Sequence, residues 1–210
     1  IRSGSIDFTR SNFESDAPVT FSDDESVVAA TDYVQQVRDG LHIWHTSRGG
    51  FSFDLVPTDV RRTLVGGEDR SGKISDQKVT HATVIFRQSI NGLITIGTGG
   101  VVEITLNGNR EVCRVRIVLR QLVSITHEET SVDVALLGKR AEQRALDEVQ
   151  SQPFVNTCRI VKSEFGFFSA DESVAQAASE LSFRILVEMR TGPFARLVEK
   201  VYTARQLSEQ

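Results

Sequence analysis

Val79 to Leu122 reads VTHATVIFRQSINGLITIGTGGVVEITLNGNREVCRVRIVLRQL, and this stretch decides the fold. Ala82, Val84 and Phe86 recur at every second position, and Asn91-Gly92 ends the run. Ile94 and Ile96 follow, then the glycine cluster Gly97 to Gly100, then Val102, Ile104 and Leu106. Asn107-Gly108 is a tight-turn dipeptide of the kind that accepts positive φ at both central positions. Cys113, Val115, Ile117 and Leu119 then alternate with Arg114, Arg116, Val118 and Arg120. Period-two patterning broken by Asn-Gly pairs predicts antiparallel strands.

Working outward, residues 1–20 are polar and read as a lead-in to a single domain over 21–210. Ser22-Asp23-Asp24-Glu25 has the form of a capping box, with Val27, Val28, Tyr33, Val34 and Val37 at helical spacing and Gly40 as the stop. Leu41–Trp44 and Phe51–Val56 flank Ser47-Arg48-Gly49-Gly50, the pattern of a hairpin. Residues 57–78 carry few apolar anchors and read as a long exposed loop. Lys139–Val149 reads as a solvated helix and Phe154–Phe168 as a strand. Ser169-Ala170-Asp171-Glu172 repeats the capping-box form ahead of a second helix. Phe183, Ile185, Val187 and Met189 alternate as a half-buried strand. Phe194–Leu207 fits either a helix or a final strand. The expected class is therefore α+β, an antiparallel sheet with helices packed mainly on one face. Phe21–Val27 echoes Phe168–Val174, which raises the alternative of two related halves, 21–138 and 139–210.

The chain has 210 residues, enough to bury a core without staples. Its formal net charge of -4 argues against a dedicated nucleic-acid binder. No apolar run approaches the roughly 20 residues that span a bilayer. The first residue is Ile1 rather than Met, so the start of the chain says nothing of localisation. Cys113 and Cys158 lack zinc or redox spacing. Two readings stay open for them: reduced thiols packed as small hydrophobes, or one disulfide of a secreted domain.

Phe86-Arg87-Gln88, Ile90-Asn91-Gly92, Gly99-Gly100, Val102-x-Ile104 and Asn107-Gly108 together resemble the FTP and PepSY type of domain. Such domains occur in propeptides of thermolysin-like metalloproteases and as free-standing secreted modules. The resemblance covers about a quarter of the chain, with Ile90 and Ile94 where the family has Tyr and Pro. It implies a non-enzymatic secreted or periplasmic module that inhibits, chaperones or binds a protein partner, a protease among the candidates, without a cofactor. Reduced cysteines would instead suit the cytoplasm.

The residues themselves offer modest chemistry. Arg114, Arg116 and Arg120 form a basic stripe that suits an acidic partner, with a solvated sheet face as the plainer reading. Trp44, with Phe51 and Phe53, forms either an aromatic binding patch or core. His42 and His45 are the one close histidine pair, and with His81 they define the alternative of a metal-assisted hydrolase. Residues three apart on a strand face opposite sides, which disfavours a shared metal. A small apolar ligand held between sheet and helix is a further alternative. Gly97-Thr98-Gly99-Gly100 precedes a strand, not a helix, so it lacks the helix N-terminus that holds a phosphate. It reads as a hairpin turn or bulge.

Overall fold

The computed structural model describes residues 3–9, 17–40, 54–66, 77–120, 133–169 and 180–209, with the side chains of 3–9, 37–40 and 120 excepted. In chain order the elements are β1 (Ser3–Thr9), α1 (Asp23–Gly40), β2 (Asp54–Val65), β3 (Lys78–Ile90), β4 (Leu93–Gly97), β5 (Val101–Asn107), β6 (Val112–Arg120), α2 (Val134–Gln150), β7 (Thr157–Ser169), β8 (Leu181–Thr191), β9 (Phe194–Thr203) and α3 (Ala204–Ser208). Strand outweighs helix, and the chain divides into two compact units. Unit 1 is Ile1–Asn91 with Gly99–Ser124, and unit 2 is Gly92–Thr98 with Ile125–Gln210.

In unit 1 the strands lie in the order β2-β3-β5-β6-β1, every pair antiparallel. Helix α1 starts as its sequence dictates. The Ser22 hydroxyl accepts from the Glu25 amide at 3.2 Å, and the Glu25 carboxylate accepts from the Ser22 amide at 2.8 Å. Asp23, Asp24 and Glu25 place negative charge on the positive end of the helix dipole. Ala30, Val27, Tyr33 and Val34 pack on Val84, Phe86, Ile104, Leu106, Val115 and Ile117. Each fully buried large side chain there is worth roughly 1.5–3 kcal/mol. Val28 departs from the expected face and is exposed.

The 57–78 segment is a correction. Most of its first half is strand β2, paired with β3 from Asp54 to Val65. Its inward positions include Thr58 and Arg62, so the alternation is chemical rather than apolar, and that hid the strand. Pro57 sits at a register shift on this edge strand, where a missing N–H is tolerated. The lead-in also needs correction: Ser3–Thr9 is β1, paired along β6 from Arg120 to Arg114. The hairpin expected over 41–56 falls mostly outside the described residues.

The β5–β6 connection differs in detail from a two-residue turn. The Asn107 side-chain oxygen accepts from the amides of Asn109 at 2.9 Å and Glu111 at 3.0 Å. Positive φ falls at Arg110 (64°). Gly108 is required for another reason: a Cβ there would lie 2.1 Å from the Ala17 carbonyl oxygen.

In unit 2 the order is β4-β7-β8-β9. The β4–β7 pair is parallel, against the all-antiparallel expectation. The cluster Gly97 to Gly100 is not a hairpin turn, since β4 and β5 are not partners; it carries the chain from one unit to the other. Helix α2 is capped by Asp133, whose side chain accepts from Leu136 N at 3.0 Å. Leu137, Ala141, Ala145 and Val149 form its buried stripe. They pack on Phe183, Ile185, Val187 and Met189 of β8. The ambiguous 194–207 segment resolves into both elements, strand β9 and then α3. Thr203 and Gln206 form the capping box of α3. The echo of Phe21–Val27 lands differently in the two places: Phe168 and Ser169 end strand β7, and the expected second helix lies outside the described residues.

Candidate binding surface

The arginine stripe sits on the face of unit 1 opposite α1, and register decides its character. One row across the sheet is Arg87, Val101 and Val118, all buried. The next is Ile85, Glu103, Arg116 and Asp7, and the next Thr83, Thr105, Arg114 and Thr9. Arg116 pairs with Glu103 at 3.5 Å. Arg114 is exposed, and the side chain of Arg120 lies outside the described residues. The stripe is thus no uniform basic face. It grades from a buried row of Arg87 and two valines to the exposed Arg114, with the Glu103 carboxylate interleaved.

Trp44, Phe51, Phe53, His42 and His45 fall outside the described residues. His81 lies on β3, its Nδ1 3.0 Å from the Thr80 hydroxyl. No group of three or more His, Cys, Asp or Glu side chains within metal-holding reach occurs among the described residues. Cys113 and Cys158 are both free thiols, so no disulfide joins them. Cys113 is buried, which pushes its thiol pKa up, and its Sγ donates to the Thr105 carbonyl at 3.3 Å. Cys158 donates to Gln150 Oε1 at 3.2 Å.

Unit 2 carries a surface that the sequence reading did not single out. Opposite α2, its sheet face is a ladder of paired charges. Glu188 bridges Arg159 and Arg190 at 3.0 Å each. Arg184 bridges Glu164 at 2.7 Å and Glu199 at 3.0 Å, and Lys162 caps Glu164 at 2.8 Å. The hydrogen bonds from Arg159 and Arg190 hold the Glu188 carboxyl below its ordinary pKa. For Glu164, burial pushes upward, yet Lys162 and Arg184 outweigh it and the pKa is lowered. On the α2 side, Glu148 takes Lys200 at 2.7 Å and Arg144 at 3.0 Å, and its pKa is lowered as well. Arg144 also stacks 4.9 Å over the ring of Tyr202, whose hydroxyl pKa burial pushes up.

At one end of this sheet the pairing stops and apolar surface begins. Phe154 is 83% exposed, Phe194 77% and Leu197 60%. The aromatics flank one clamp. Asn156 N donates to the Arg190 carbonyl at 2.8 Å, and Gly192 N donates to Asn156 Oδ1 at 2.7 Å. Phe154 holds a left-handed backbone, φ 70°, which costs a bulky residue roughly 1–2 kcal/mol. That strain is not offset by burial of the ring.

Beside the clamp runs β9, which among the described residues pairs only with β8. The Arg190 carbonyl faces Asn156, so Thr191, Met189 and their alternates on β8 face β9. They oppose Phe194, Arg196, Val198 and Lys200. By strand alternation, the amides and carbonyls of Ala195, Leu197, Glu199 and Val201 point to the free edge. Of the basic side chains on this sheet, Arg159, Lys162, Arg184, Arg190 and Lys200 each hold a carboxylate. Arg196, on the edge strand, holds none among the described residues. A run of alternating donors and acceptors, two exposed aromatics and one cation without a carboxylate partner among the described residues can bind a polypeptide.

No protein-family model matches the chain, and no curated protein sequence matches it.

Proposed function

We propose that this protein is a non-enzymatic binding or regulatory module whose partner is another protein. The observation that carries the reading is the end of unit 2: Phe154, Phe194 and Leu197 are solvent-facing, and the edge strand β9, which carries two of them, pairs among the described residues on one side alone, with β8. Exposed aromatics and an unpaired edge are costly features for a protein to keep, and both are used in peptide capture. The resemblance to FTP and PepSY domains supplies a class for the partner, a protease. The alternative of two related halves, 21–138 and 139–210, would set α1 and the strands after it against α2 with β7, β8 and β9, its boundary moved to the start of α2 at Val134.

The test is selection of a displayed random-peptide library on the purified protein. The reading expects enriched peptides whose binding is abolished in the double variant Phe154→Ala, Phe194→Ala, with the melting temperature not lowered. A library that yields no specific binder contradicts it. Inhibition of a thermolysin-like metalloprotease at micromolar protein tests the partner class separately.

A further inference from the structure

The free edge of β9 has a chemistry of its own, and it selects what can add to it. We infer that it takes up an extended acidic segment of a partner protein as an added strand, in preference to a second copy of this chain. The inference rests on the binding-module reading above.

Three observations lead there. First, Ala195, Leu197, Glu199 and Val201 direct their backbone groups outward along an uninterrupted register with β8, so the edge is a straight template. Second, the charges on β9 are already assigned except one. Glu199 is held by Arg184 and Lys200 by Glu148, which leaves Arg196 as the edge cation with no carboxylate among the described residues. Third, Leu197, next to Arg196 and on the opposite face of the strand, is exposed and suits an apolar residue between the acidic ones.

A second copy fits poorly. A two-fold axis normal to the sheet keeps every side chain on its own face, so in a symmetric antiparallel pair only same-face residues oppose. Four registers centre on Arg196, Leu197, Val198 or Glu199, in the middle of the strand. Three set like charges opposite: Arg196 on Arg196, Arg196 on Lys200, or Glu199 on Glu199. The fourth sets Leu197 on Leu197 and brings each Arg196 diagonal to the partner's Arg196 and Lys200. Like charges opposed across strands are destabilising. An incoming strand with Glu or Asp opposite Arg196 meets no such conflict and gains the pair.

The test uses two soluble nonapeptides, one alternating Val and Glu and one alternating Val and Lys, titrated into the full chain by calorimetry. The Val-Glu peptide is expected to bind about tenfold more tightly than the Val-Lys peptide, the ratio for one attraction gained and one repulsion avoided. Arg196→Glu, a substitution on an exposed side chain, is expected to reverse that order without moving the melting temperature. An unchanged order in Arg196→Glu, or no binding of either peptide, overturns the inference. So does a self-associating β9 edge, seen as a dimer of the unsubstituted chain in sedimentation equilibrium that the Val-Glu peptide dissociates. If the peptide library yields binders indifferent to Arg196, this inference fails while the binding-module reading stands; if it yields none, that reading fails.

Discussion

Replacing Gly166 with Ala probes the parallel contact between β4 and β7. A Cβ at Gly166 would lie 2.1 Å from the Ile94 carbonyl oxygen and 3.2 Å from Ile96 Cγ2. An ordinary carbon–oxygen approach is about 3.3 Å or more, so β4 must withdraw by about 1 Å. The pair it would disturb is short: Thr95 with Phe167, Ile96 with Phe168, Gly97 with Ser169. A three-residue ladder has no slack in which to spread such a shift. Overpacking of this kind costs about 1–3 kcal/mol. The unfolded chain loses some freedom with Ala, which returns about 0.5–1 kcal/mol. The net expectation is a loss of about 1–2 kcal/mol, or several degrees in melting temperature for a chain of this size. Gly138→Ala is the internal comparison. It lies within α2, its Cβ would touch Phe183 Cε1 at 3.4 Å, and helix propensity favours Ala by about 1 kcal/mol. Urea unfolding of both variants gives the answer. Gly166→Ala as stable as the parent, or moving in the same direction as Gly138→Ala, would refute the close approach of the two strands.

Other expectations follow from the same geometry. Phe154→Gly relieves the positive φ and is expected to stabilise the fold by about 1 kcal/mol while weakening peptide capture; a destabilised variant would mean that the ring is packed. Arg110 combines a φ of 64° with an ion pair to Glu25 at 2.6 Å and a stack 5.3 Å over Phe21. Arg110→Ala loses the contacts and keeps the strain, so it should be less stable than Arg110→Gly by about 1 kcal/mol in chemical denaturation. Glu148, Glu164 and Glu188 have folded pKa values below their ordinary value. Their stabilisation is therefore fully present above the unfolded value, about 4.3, and is lost as pH falls through the lower folded values. Melting temperature should be flat from pH 6 to 8 as far as these groups act and should fall below about pH 4.5. A rise there would contradict the pairing.

The strands of Val79–Leu122 were legible because their alternation is apolar against polar, and the capping box at Ser22 because it is local. What escaped was structure held by long-range partners. β2 looked like a loop because Arg62 takes an inward position, where its guanidinium reaches the Phe21 carbonyl at 2.8 Å and the Asp23 carboxylate across 39 residues. β1 escaped because Ser3–Thr9 offers only Ile6 and Phe8 as alternating apolar positions, and the strand is defined by register with β6. The parallel β4–β7 pair depends on Gly166, whose need is visible only once Ile94 is beside it. Arg114 and Arg116 alternate onto one face of β6, but Glu103, which pairs with Arg116, comes from the adjacent strand. The β9 edge was not singled out because Phe194 and Leu197 resemble core residues in sequence. Only the end of the sheet order exposes them.

The most direct measurement is amide hydrogen exchange along β9, with and without the Val-Glu peptide. In the free protein, the amides of Arg196, Val198 and Lys200 should be protected by β8, while those of Leu197, Glu199 and Val201 exchange fast. Saturating peptide should slow Leu197, Glu199 and Val201 and leave the others unchanged. Protection of those three amides in the free protein, or exchange unaltered by bound peptide, would contradict the account.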